Sequence, residues 1–354
     1  MESLYQNCML CPRRCGVNRL GGAGQNQKTG YCGESNKLRI ACASIHRGEE
    51  PPITGRGGSG TIFISGCNLG CVFCQNYQIS QAEVKKPIPN AAQNNAHVLN
   101  NIKSGKIQPM GRQVSSAEFA EICCALEKNG AENINIVTGS HAIPAIAEGI
   151  DAARTAGLHI PVLWNTSSYE NTETLELLRG RVTGFLPDLK TLNCDLAARF
   201  FNAPDYPDAA TAAISKMIEL SCHSSPPAVD RIIIRHLILP GFLQSTQQVL
   251  RWFADNALGR ASLSLMTQYT PPADSKRAAV SPRSYVSEAE YEKVLGWLEE
   301  YGIEDGFCQE LVTGNGLSEW TEWLPDFGQE NPFSSGLSKP VWHWQKGLLN
   351  DDAL

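Results

Sequence analysis

The sequence lacks any apolar run of the roughly 18 residues that a membrane-spanning helix needs. Its first residues, MESLYQNCMLCPRRC, contain no apolar signal-peptide core. It also lacks a basic stripe, and its formal net charge of −6 is a poor footprint for nucleic-acid binding. Charged residues make up only 19% of the chain, too few for a disordered or coiled-coil protein. We therefore expect a soluble, cytoplasmic protein with no membrane or nucleic-acid partner.

Cysteine, by contrast, is abundant, with 13 cysteines in 354 residues. Cytosolic thiol buffers keep cysteines reduced, so a disulfide framework is not expected. An odd number of cysteines also does not suit complete pairing. Clustered cysteines in such a chain are better interpreted as metal ligands.

From about residue 60 onward, short apolar runs alternate with segments of helical length. The predicted strands are 61–65, 133–138, 161–165, 182–186, 231–239 and 263–266, and the predicted helices are roughly 116–129, 143–156, 170–179, 208–221, 246–256 and 287–300. Near-continuous apolar strands separated by helices indicate a parallel sheet covered on both faces. Six such units predict an α/β fold, a partial (β/α)6 barrel with its catalytic residues at the carboxyl ends of the strands. A doubly wound sheet is the alternative that periodicity leaves open.

Three regions follow from this pattern. Residues 1–50 are predicted to be a Cys-rich metal-binding segment, 51–303 the barrel, and 304–354 an irregular C-terminal extension. A polar stretch at 84–112 interrupts the barrel, and a loop of that length is usually a lid or a binding element. The extension is rich in tryptophan, with Trp320, Trp323, Trp342 and Trp344.

Cys67, Cys71 and Cys74 follow the first predicted strand with C-x3-C-x2-C spacing. A closed Fe–S or Zn site would use four protein ligands, whereas three leave one iron of a [4Fe–4S] cluster open. S-adenosylmethionine (SAM) can chelate that iron through its amino and carboxylate groups. An electron from the cluster then breaks the sulfur–C5′ bond and forms a 5′-deoxyadenosyl radical, which abstracts a hydrogen atom. The alternatives are a Zn site completed by a distant residue, or three buried thiols.

With Phe73 included, the motif C-x3-C-x-aromatic-C resembles the signature of the radical SAM superfamily. The run GSGTIFISGCNLGCVFCQNYQIS resembles the uncharacterised relatives of pyruvate formate-lyase activating enzyme. Further similar elements are 49–52 (EEPP), 133–138, 186–190 (LPDLK), 235–241 (RHLILPG) and 268–269, so that the resemblance covers about residues 8–303. It implies a radical SAM barrel, a reductant such as flavodoxin or ferredoxin, and a cofactor-side position for Phe73. The stretch 84–112 and the Trp-rich tail depart from the group.

A second cysteine set lies near the N-terminus. Cys8, Cys11, Cys15 and Cys32 form C-x2-C-x3-C-x16-C, and four thiolates can complete one tetrahedral centre. Metal binding would supply folding energy that this glycine-rich segment otherwise lacks. The spacing leaves Zn and a second Fe–S cluster equally open. The other six cysteines are interpreted as thiols without a metal: Cys42, Cys123, Cys124, Cys194, Cys222 and Cys308.

Polar residues at the predicted strand ends are the candidates for holding SAM. Superfamily members often carry Gly-Gly-Glu at the end of the second strand for the SAM ammonium. This chain does not, so we expect Asn135, Thr138 and Ser140 to substitute. Asn165 ends the third strand, followed by Thr166 and Ser167, for which a helix N-cap is the alternative role.

The later strands supply further candidates. Asp188 and Lys190 stand where the activating-enzyme group carries a similar SAM-binding element, with a surface ion pair as the alternative. Arg235 lies within an apolar run and is costly to bury unpaired, so we expect it to face inward toward SAM. His236 would then face outward as a core histidine. Gln268 and Tyr269 follow the last strand and are candidates for contact with adenine or substrate, with a role in merely ending the barrel as the alternative.

Three functions stay open at this point. The resemblance favours activation of a glycyl radical enzyme, in which the radical abstracts hydrogen from a backbone glycine of a partner protein. A second hypothesis is radical SAM chemistry on a small molecule or another peptide, which a closed pocket would suit. A third, from another class, is a non-catalytic Fe–S or Zn protein, which would not bind SAM.

Overall fold

A computed structural model describes residues 2–20, 29–80, 110–221, 232–273, 275–312, 324–333 and 336–349. Residues 84–109 of the polar stretch, predicted to be a lid or a binding element, lie outside the described residues, and so do Cys222, Trp320 and Trp323. The described strands are β1 (Leu38–His46), β2 (Ser59–Ile64), β3 (Arg112–Val114), β4 (Ile134–Val137), β5 (Val162–Thr166), β6 (Gly184–Pro187), β7 (Ile233–Leu237), β8 (Ser262–Met266), β9 (Gly306–Cys308), β10 (Ser338–His343) and β11 (Gly347–Leu348).

Parallel strands form the centre of the fold. β2, β4, β5 and β6 pair in that order, and β7, β8 and β9 pair in a second parallel set. Two parallel bridges, Phe185 to Ile232 and Asp188 to Arg235, connect β6 to β7 and so join the sets. No pairing closes this row into a full barrel in the described part of the chain. The predicted partial barrel is therefore confirmed with all six expected strands, and β9 adds a short seventh.

Antiparallel strands extend the open edge of this row. β1 pairs with β2 on one side and with β10 on the other, while its first residues also pair with β3. β11 pairs with β10. Trp342 of β10 lies opposite Ala43 of β1 and is almost fully buried. The C-terminal extension, predicted to be irregular, thus contributes β10 and β11 beside β1, and its β9 continues the parallel row after β8.

Helices cover the sheet where the periodicity predicts them. They are α1 (Pro51–Thr54), α2 (Tyr77–Ser80), α3 (Ser116–Lys128), α4 (Ile143–Thr155), α5 (Thr172–Leu175), α6 (Cys194–Phe201), α7 (Tyr206–Ser221), α8 (Leu243–Asn256), α9 (Ser275–Ala278) and α10 (Glu288–Glu300). α3 begins where the Ser115 side chain accepts a hydrogen bond from the Glu118 amide, and α10 begins with a capping box of Ser287 and Glu290. The sequence pattern missed α1, α2, α6 and α9, because each is shorter than the window of roughly 11 residues in which helical periodicity is recognised.

The core lies between the helices and the parallel strands. Phe119 of α3 and Trp164 of β5 are fully buried, and Gly149 of α4 packs against Phe119. A Cβ atom at Gly149 would lie 2.7 Å from the Phe119 ring, so glycine permits this close helix contact. Within the described ranges, no helix combines the length and apolarity that crossing a membrane would require.

Candidate active site

The cysteine loop follows β2 and is shaped by two glycines. Gly66 and Gly70 have positive φ angles of 84° and 74°, which favour glycine. A Cβ atom at Gly66 would lie 2.5 Å from Glu34 Cγ, so the N-terminal segment packs directly against the loop. Between the glycines, the Asn68 side-chain amide donates to the Tyr169 carbonyl at 2.6 Å. Backbone turns and one buried side chain therefore fix the loop.

Cys67, Cys71 and Cys74 line a single cavity of about 300 Å³. Cys67 Sγ accepts a hydrogen bond from the Leu69 amide at 3.3 Å, and Cys74 Sγ lies 3.3 Å from Ser80 Oγ. Burial raises the pKa of both the Cys71 and the Cys74 thiol. A cation is therefore needed to hold them as thiolates, and bound metal supplies one.

Phe73 lines the cavity beside the cysteines. Its ring packs edge-on against Phe200, Phe201 and Tyr269, with centroid distances of 5.7, 6.0 and 5.8 Å. The aromatic residue of the motif therefore anchors the cysteine loop to α6 and to the segment after β8. This packing gives Phe73 a structural role in addition to its position on the cavity wall.

The predicted strand-end residues divide into two groups. Those that line the cavity with the cysteines are Thr138, Asn165, Asp188, Lys190, Arg235 and Gln268, together with Thr166 and Ser167. Asn135 and Ser140 do not line it: Asn135 is fully buried, and Ser140 Oγ is 3.3 Å from Thr166 Oγ1. Thr138 has a φ of 64°, uncommon for a β-branched residue and typical of strained functional positions.

Asp188 and Lys190 form an ion pair on the cavity wall, with 2.6 Å between Oδ2 and Nζ. Burial opposes the charge of Lys190, but Asp188, Cys71 and Tyr206 together more than offset burial, and the pKa of Lys190 is raised. The Tyr206 hydroxyl donates to the Asp188 carbonyl and accepts from the Lys190 amide, each at 3.0 Å. A cationic and an anionic group are thus held at the end of β6.

Arg235 faces inward, as predicted, and is held by two glutamates. Its Nε donates to Glu50 Oε1 at 2.9 Å, and Nη2 donates to Glu49 Oε2 at 2.5 Å. Burial alone would lower the pKa of Arg235, but the two carboxylates raise it. Asn135 Nδ2 donates to the other oxygen of Glu49 at 2.9 Å. Both glutamates belong to the EEPP segment, whose sequence does not by itself predict a contact with Arg235.

His236 faces the opposite side of β7 and is a buried core histidine, as predicted. Its Nδ1 lies 2.7 Å from the Leu189 carbonyl and its Nε2 lies 3.0 Å from Thr246 Oγ1. Burial lowers the pKa of His236 to about 4. Neighbouring residues of one strand therefore serve the cavity and the core respectively.

The C-terminal extension forms part of the cavity wall. Pro325, Phe333 and Leu337 line the cavity, opposite His46 and Phe63. The Phe333 ring lies 5.0 Å from the His46 ring and 5.3 Å from the Phe63 ring, measured between centroids. His46 and Phe63 were not predicted to line the site, because no local pattern identifies a residue that contacts Phe333, at least 270 positions away.

With this geometry established, sequence comparison decides the family. The family described as the radical SAM superfamily matches residues 61–253, which is more than half of the chain. The chain belongs to the radical SAM superfamily. Membership implies an enzyme that uses a [4Fe–4S] cluster, SAM and a reductant.

Two further similarities accompany this match. The "Uncharacterized protein MJ0674" of Methanocaldococcus jannaschii is 29% identical over 303 residues, which are 86% of this chain and 77% of that protein. The X-ray structure of the FeFe-hydrogenase maturase HydG from Carboxydothermus hydrogenoformans aligns with a TM-score of 0.46 and 13% identity. That alignment covers 77% of this chain and 60% of the HydG chain, so this chain spans less than two thirds of HydG.

The residues present fit the implied radical SAM cofactors. Three thiols face one cavity, which suits a cluster with three protein ligands, and the same wall carries a cation and an anion for a zwitterionic nucleotide. Among the described residues, no three His, Cys, Asp or Glu side chains converge as a ready-made ion site. The assignment of Cys67, Cys71 and Cys74 as ligands therefore stays a prediction.

The N-terminal cysteines of this radical SAM protein also share a cavity. Cys8, Cys11, Cys15 and Cys32 line a small space of about 10 Å³, together with Arg19. Arg19 is buried and its Nη1 donates to Cys8 Sγ at 3.5 Å, while the Tyr31 amide donates to Cys15 Sγ at 3.3 Å. Donors directed at sulfur suit thiolates bound to a metal.

The remaining described cysteines do not join either set. Cys42 and Cys123 are buried, Cys124 is half-buried in α3, and Cys194 and Cys308 are exposed. None of these five lines the two cysteine cavities. Their interpretation as thiols without a metal stays a prediction.

Proposed function

We propose that Cys67, Cys71 and Cys74 bind a [4Fe–4S] cluster at which the protein reductively cleaves SAM. When bound, the cluster supplies the electron that divides SAM into methionine and the 5′-deoxyadenosyl radical, which then abstracts hydrogen from a substrate. The observation that carries this proposal is the shared cavity, in which the three thiols face the polar ends of the parallel strands.

The chain's own residues have distinct roles in this proposal. The Lys190 ammonium binds the SAM carboxylate. Asp188 keeps the Lys190 ammonium charged and holds it in position. Thr138 and Asn165 supply oxygens for the SAM ammonium and ribose, and Gln268 lies at the adenine end. Glu49 and Glu50 already occupy hydrogen-bond donors of the Arg235 guanidinium. Arg235 therefore stabilises the cavity wall rather than binding SAM with two parallel hydrogen bonds.

The resemblance favours a glycyl radical enzyme as the substrate. In that case a glycine loop of the partner would enter the cavity and lose its Cα hydrogen. The test is electron paramagnetic resonance (EPR) of candidate partner proteins after incubation with the reduced protein and SAM. A glycyl doublet in the spectrum of one partner supports activation. The absence of a doublet from all candidate partners would reject a glycyl radical enzyme as the substrate.

A specific observation favours a second substrate class, a small molecule or a short peptide. Pro325, Phe333 and Leu337 bring the C-terminal extension onto the cavity wall, which narrows access from that side. A reduced protein that produces 5′-deoxyadenosine faster with a small-molecule fraction than with folded partner proteins would support this class.

The decisive experiment for SAM cleavage is anaerobic reconstitution, followed by dithionite and SAM, with 5′-deoxyadenosine quantified. Wild-type protein should produce it, and Cys71→Ala should lose both cluster and product. Cys194→Ala, which changes an exposed thiol, is the matched control and should keep both. Formation of 5′-deoxyadenosine by Cys71→Ala would overturn the ligand assignment. If the wild type forms no 5′-deoxyadenosine, the hypothesis of a non-catalytic Fe–S or Zn protein is favoured instead.

We also propose that Cys8, Cys11, Cys15 and Cys32 hold a second metal centre, either Zn or Fe–S. Their shared cavity and the sulfur-directed donors Arg19 and Tyr31 support this proposal. Counting iron and zinc per chain in wild type and in Cys8→Ala identifies the metal. An unchanged count of both metals in Cys8→Ala would reject the site.

A further inference from the structure

Arg13 joins the N-terminal cysteine segment to the loop that carries Cys67, Cys71 and Cys74. It lies between Cys11 and Cys15 in the sequence. Its Nε donates to the Asn68 carbonyl at 2.8 Å, and its Nη2 donates to the Leu69 carbonyl at 3.1 Å. Both carbonyls belong to the turn between Cys67 and Cys71. One side chain therefore fixes the backbone that separates two of the three predicted ligands.

The same guanidinium also contacts the end of α6. Nη2 donates to the Phe201 carbonyl at 2.9 Å and Nη1 donates to the Asn202 carbonyl at 2.5 Å. Phe201 in turn packs against Phe73 of the cysteine loop, with ring centroids 6.0 Å apart. Four carbonyls from two segments thus converge on one planar cation. Lysine, with a compact ammonium, cannot reproduce this arrangement.

Tyr31 supplies a second connection between the two cysteine sets. Its ring lies under the Arg13 guanidinium, 3.7 Å from the guanidinium carbon to the ring centroid. Its amide donates to Cys15 Sγ at 3.3 Å, and its hydroxyl donates to the Leu69 carbonyl at 3.4 Å. A Cβ atom at Gly70 would lie 3.2 Å from the Tyr31 hydroxyl, so the contact is close. The orientation of Arg13 therefore depends on the segment that Cys11, Cys15 and Cys32 organise.

We infer that Arg13 is a positioning residue through which the N-terminal four-cysteine site stabilises the cluster loop. This inference rests on the proposed function in taking Cys67, Cys71 and Cys74 as cluster ligands. Metal at the N-terminal site fixes the segment around Arg13, and Arg13 fixes the carbonyls of Asn68 and Leu69. The catalytic cluster is then retained more firmly when the N-terminal site is filled.

The first experiment compares Arg13→Lys with Arg14→Lys, an exposed neighbour in the same turn. Iron loss from reconstituted protein is followed with an excess of chelator and without SAM, and the EPR spectrum of the reduced cluster is recorded. Each arginine variant is also made in a Cys71→Ala background, so that iron of the N-terminal site is measured separately and subtracted. We expect catalytic-cluster iron to leave about tenfold faster from Arg13→Lys, with an altered EPR spectrum, and at the wild-type rate from Arg14→Lys.

A double-mutant cycle tests the coupling itself. Cys15→Ala should accelerate loss of catalytic-cluster iron in the wild-type background about as much as Arg13→Ala does. When the two changes are combined, the second should add less than twofold, because both act through the same contact. Thermal unfolding of each variant shows whether the chain still folds, and Arg13→Lys serves if Arg13→Ala does not.

The outcomes separate this inference from the proposed function. If the two changes multiply in the double variant, or if Arg13→Lys retains iron and its EPR spectrum like wild type, Arg13 does not couple the sites. If wild type holds the cluster but cleaves no SAM, the proposed function fails while the iron-retention result still decides the role of Arg13.

Discussion

Lys190 Nζ lies 2.6 Å from Asp188 Oδ2, and both side chains line the cavity that holds the three predicted cluster ligands. The two side chains are mostly buried, with exposed fractions of 19% and 21%. Removing one partner of a buried ion pair destabilises the protein by more than the intact pair stabilises it, because the other charge is left buried and unpaired. The ion pair at the end of β6 is therefore the most informative target after the cysteines.

Asp188→Asn should weaken SAM binding by about tenfold, because the Lys190 ammonium loses the carboxylate that keeps it charged and oriented. We expect the free energy of unfolding to fall by roughly 1–3 kcal/mol, below the 3–5 kcal/mol of a fully buried pair, since water reaches part of this one. Equilibrium binding of labelled SAM gives the first value and thermal unfolding the second. Asp151→Asn breaks the surface pair with Arg181 and should change SAM binding by less than twofold.

Arg235→Met should leave the carboxylates of Glu49 and Glu50 buried without their cation. We expect a loss of about 3–5 kcal/mol in the free energy of unfolding. Adding Glu49→Gln and Glu50→Gln to Arg235→Met should recover part of that loss, because two uncompensated charges disappear. Urea unfolding of the three proteins tests this, and an Arg235→Met protein as stable as wild type would contradict it.

Glu170→Gln should change how stability depends on pH. Burial raises the pKa of Glu170 from 4.5 to about 7, and its Oε1 accepts a hydrogen bond from Trp164 Nε1 at 2.9 Å. The unfolded chain releases this proton at lower pH than the folded chain does. The wild type therefore loses stability as pH rises from about 4.5 to 7, by roughly 3 kcal/mol at most.

The Glu170→Gln variant should lack the loss of stability that titration of Glu170 causes in the wild type. The stability of the variant relative to wild type should therefore be higher at pH 8 than at pH 5. Melting temperatures of both proteins across this range test the prediction. Glu173→Gln, which changes an exposed neighbour, should follow the wild-type curve. Parallel curves for wild type and Glu170→Gln would show that the carboxyl group does not titrate in this range.

Gly66→Ala should damage the cysteine loop more than its backbone strain alone explains. Gly66 and Gly241 have similar φ angles, 84° and 80°, so alanine is strained at both by about 1 kcal/mol. Only at Gly66 would the new Cβ meet a neighbour, Glu34 Cγ at 2.5 Å, whereas Gly241 has no heavy atom within 4 Å. We expect iron per chain to fall by at least half in Gly66→Ala and to stay near wild type in Gly241→Ala. Equal iron contents would show that the packing against Glu34 is dispensable.

Local patterns predicted much of this protein. All six expected strands are present, because apolar runs bounded by turns depend on neighbouring residues only. The inward position of Arg235 and the outward position of His236 follow from the alternation of side chains along one strand. Asp188 and Lys190 line the cavity because the carboxyl ends of parallel strands meet at one edge.

The contacts that complete the site were not predictable in this way. Glu50 and Arg235 are 185 positions apart, and Arg13 and Asn202 are 189 apart. Glu50, Arg13 and Asn202 alone are typical of ordinary surface charges or amides, and the apolar run around Arg235 predicts burial but no particular partner. The residues around each of them do not specify its partner, because the packing of strands and loops in the folded protein determines which side chains come into contact.

The sequence by itself determined the family, the three-cysteine motif, the order of strands and helices, and the polar character of the strand ends, because each is written in residues that are close along the chain. Only the tertiary structure decided that two glutamates hold Arg235, that the C-terminal extension joins the cavity wall, and that Arg13 contacts the cysteine loop. Those contacts form between segments that come together when apolar surfaces are buried. The hydrophobic effect depends on the apolar area removed from water and not on how far apart the residues are along the chain.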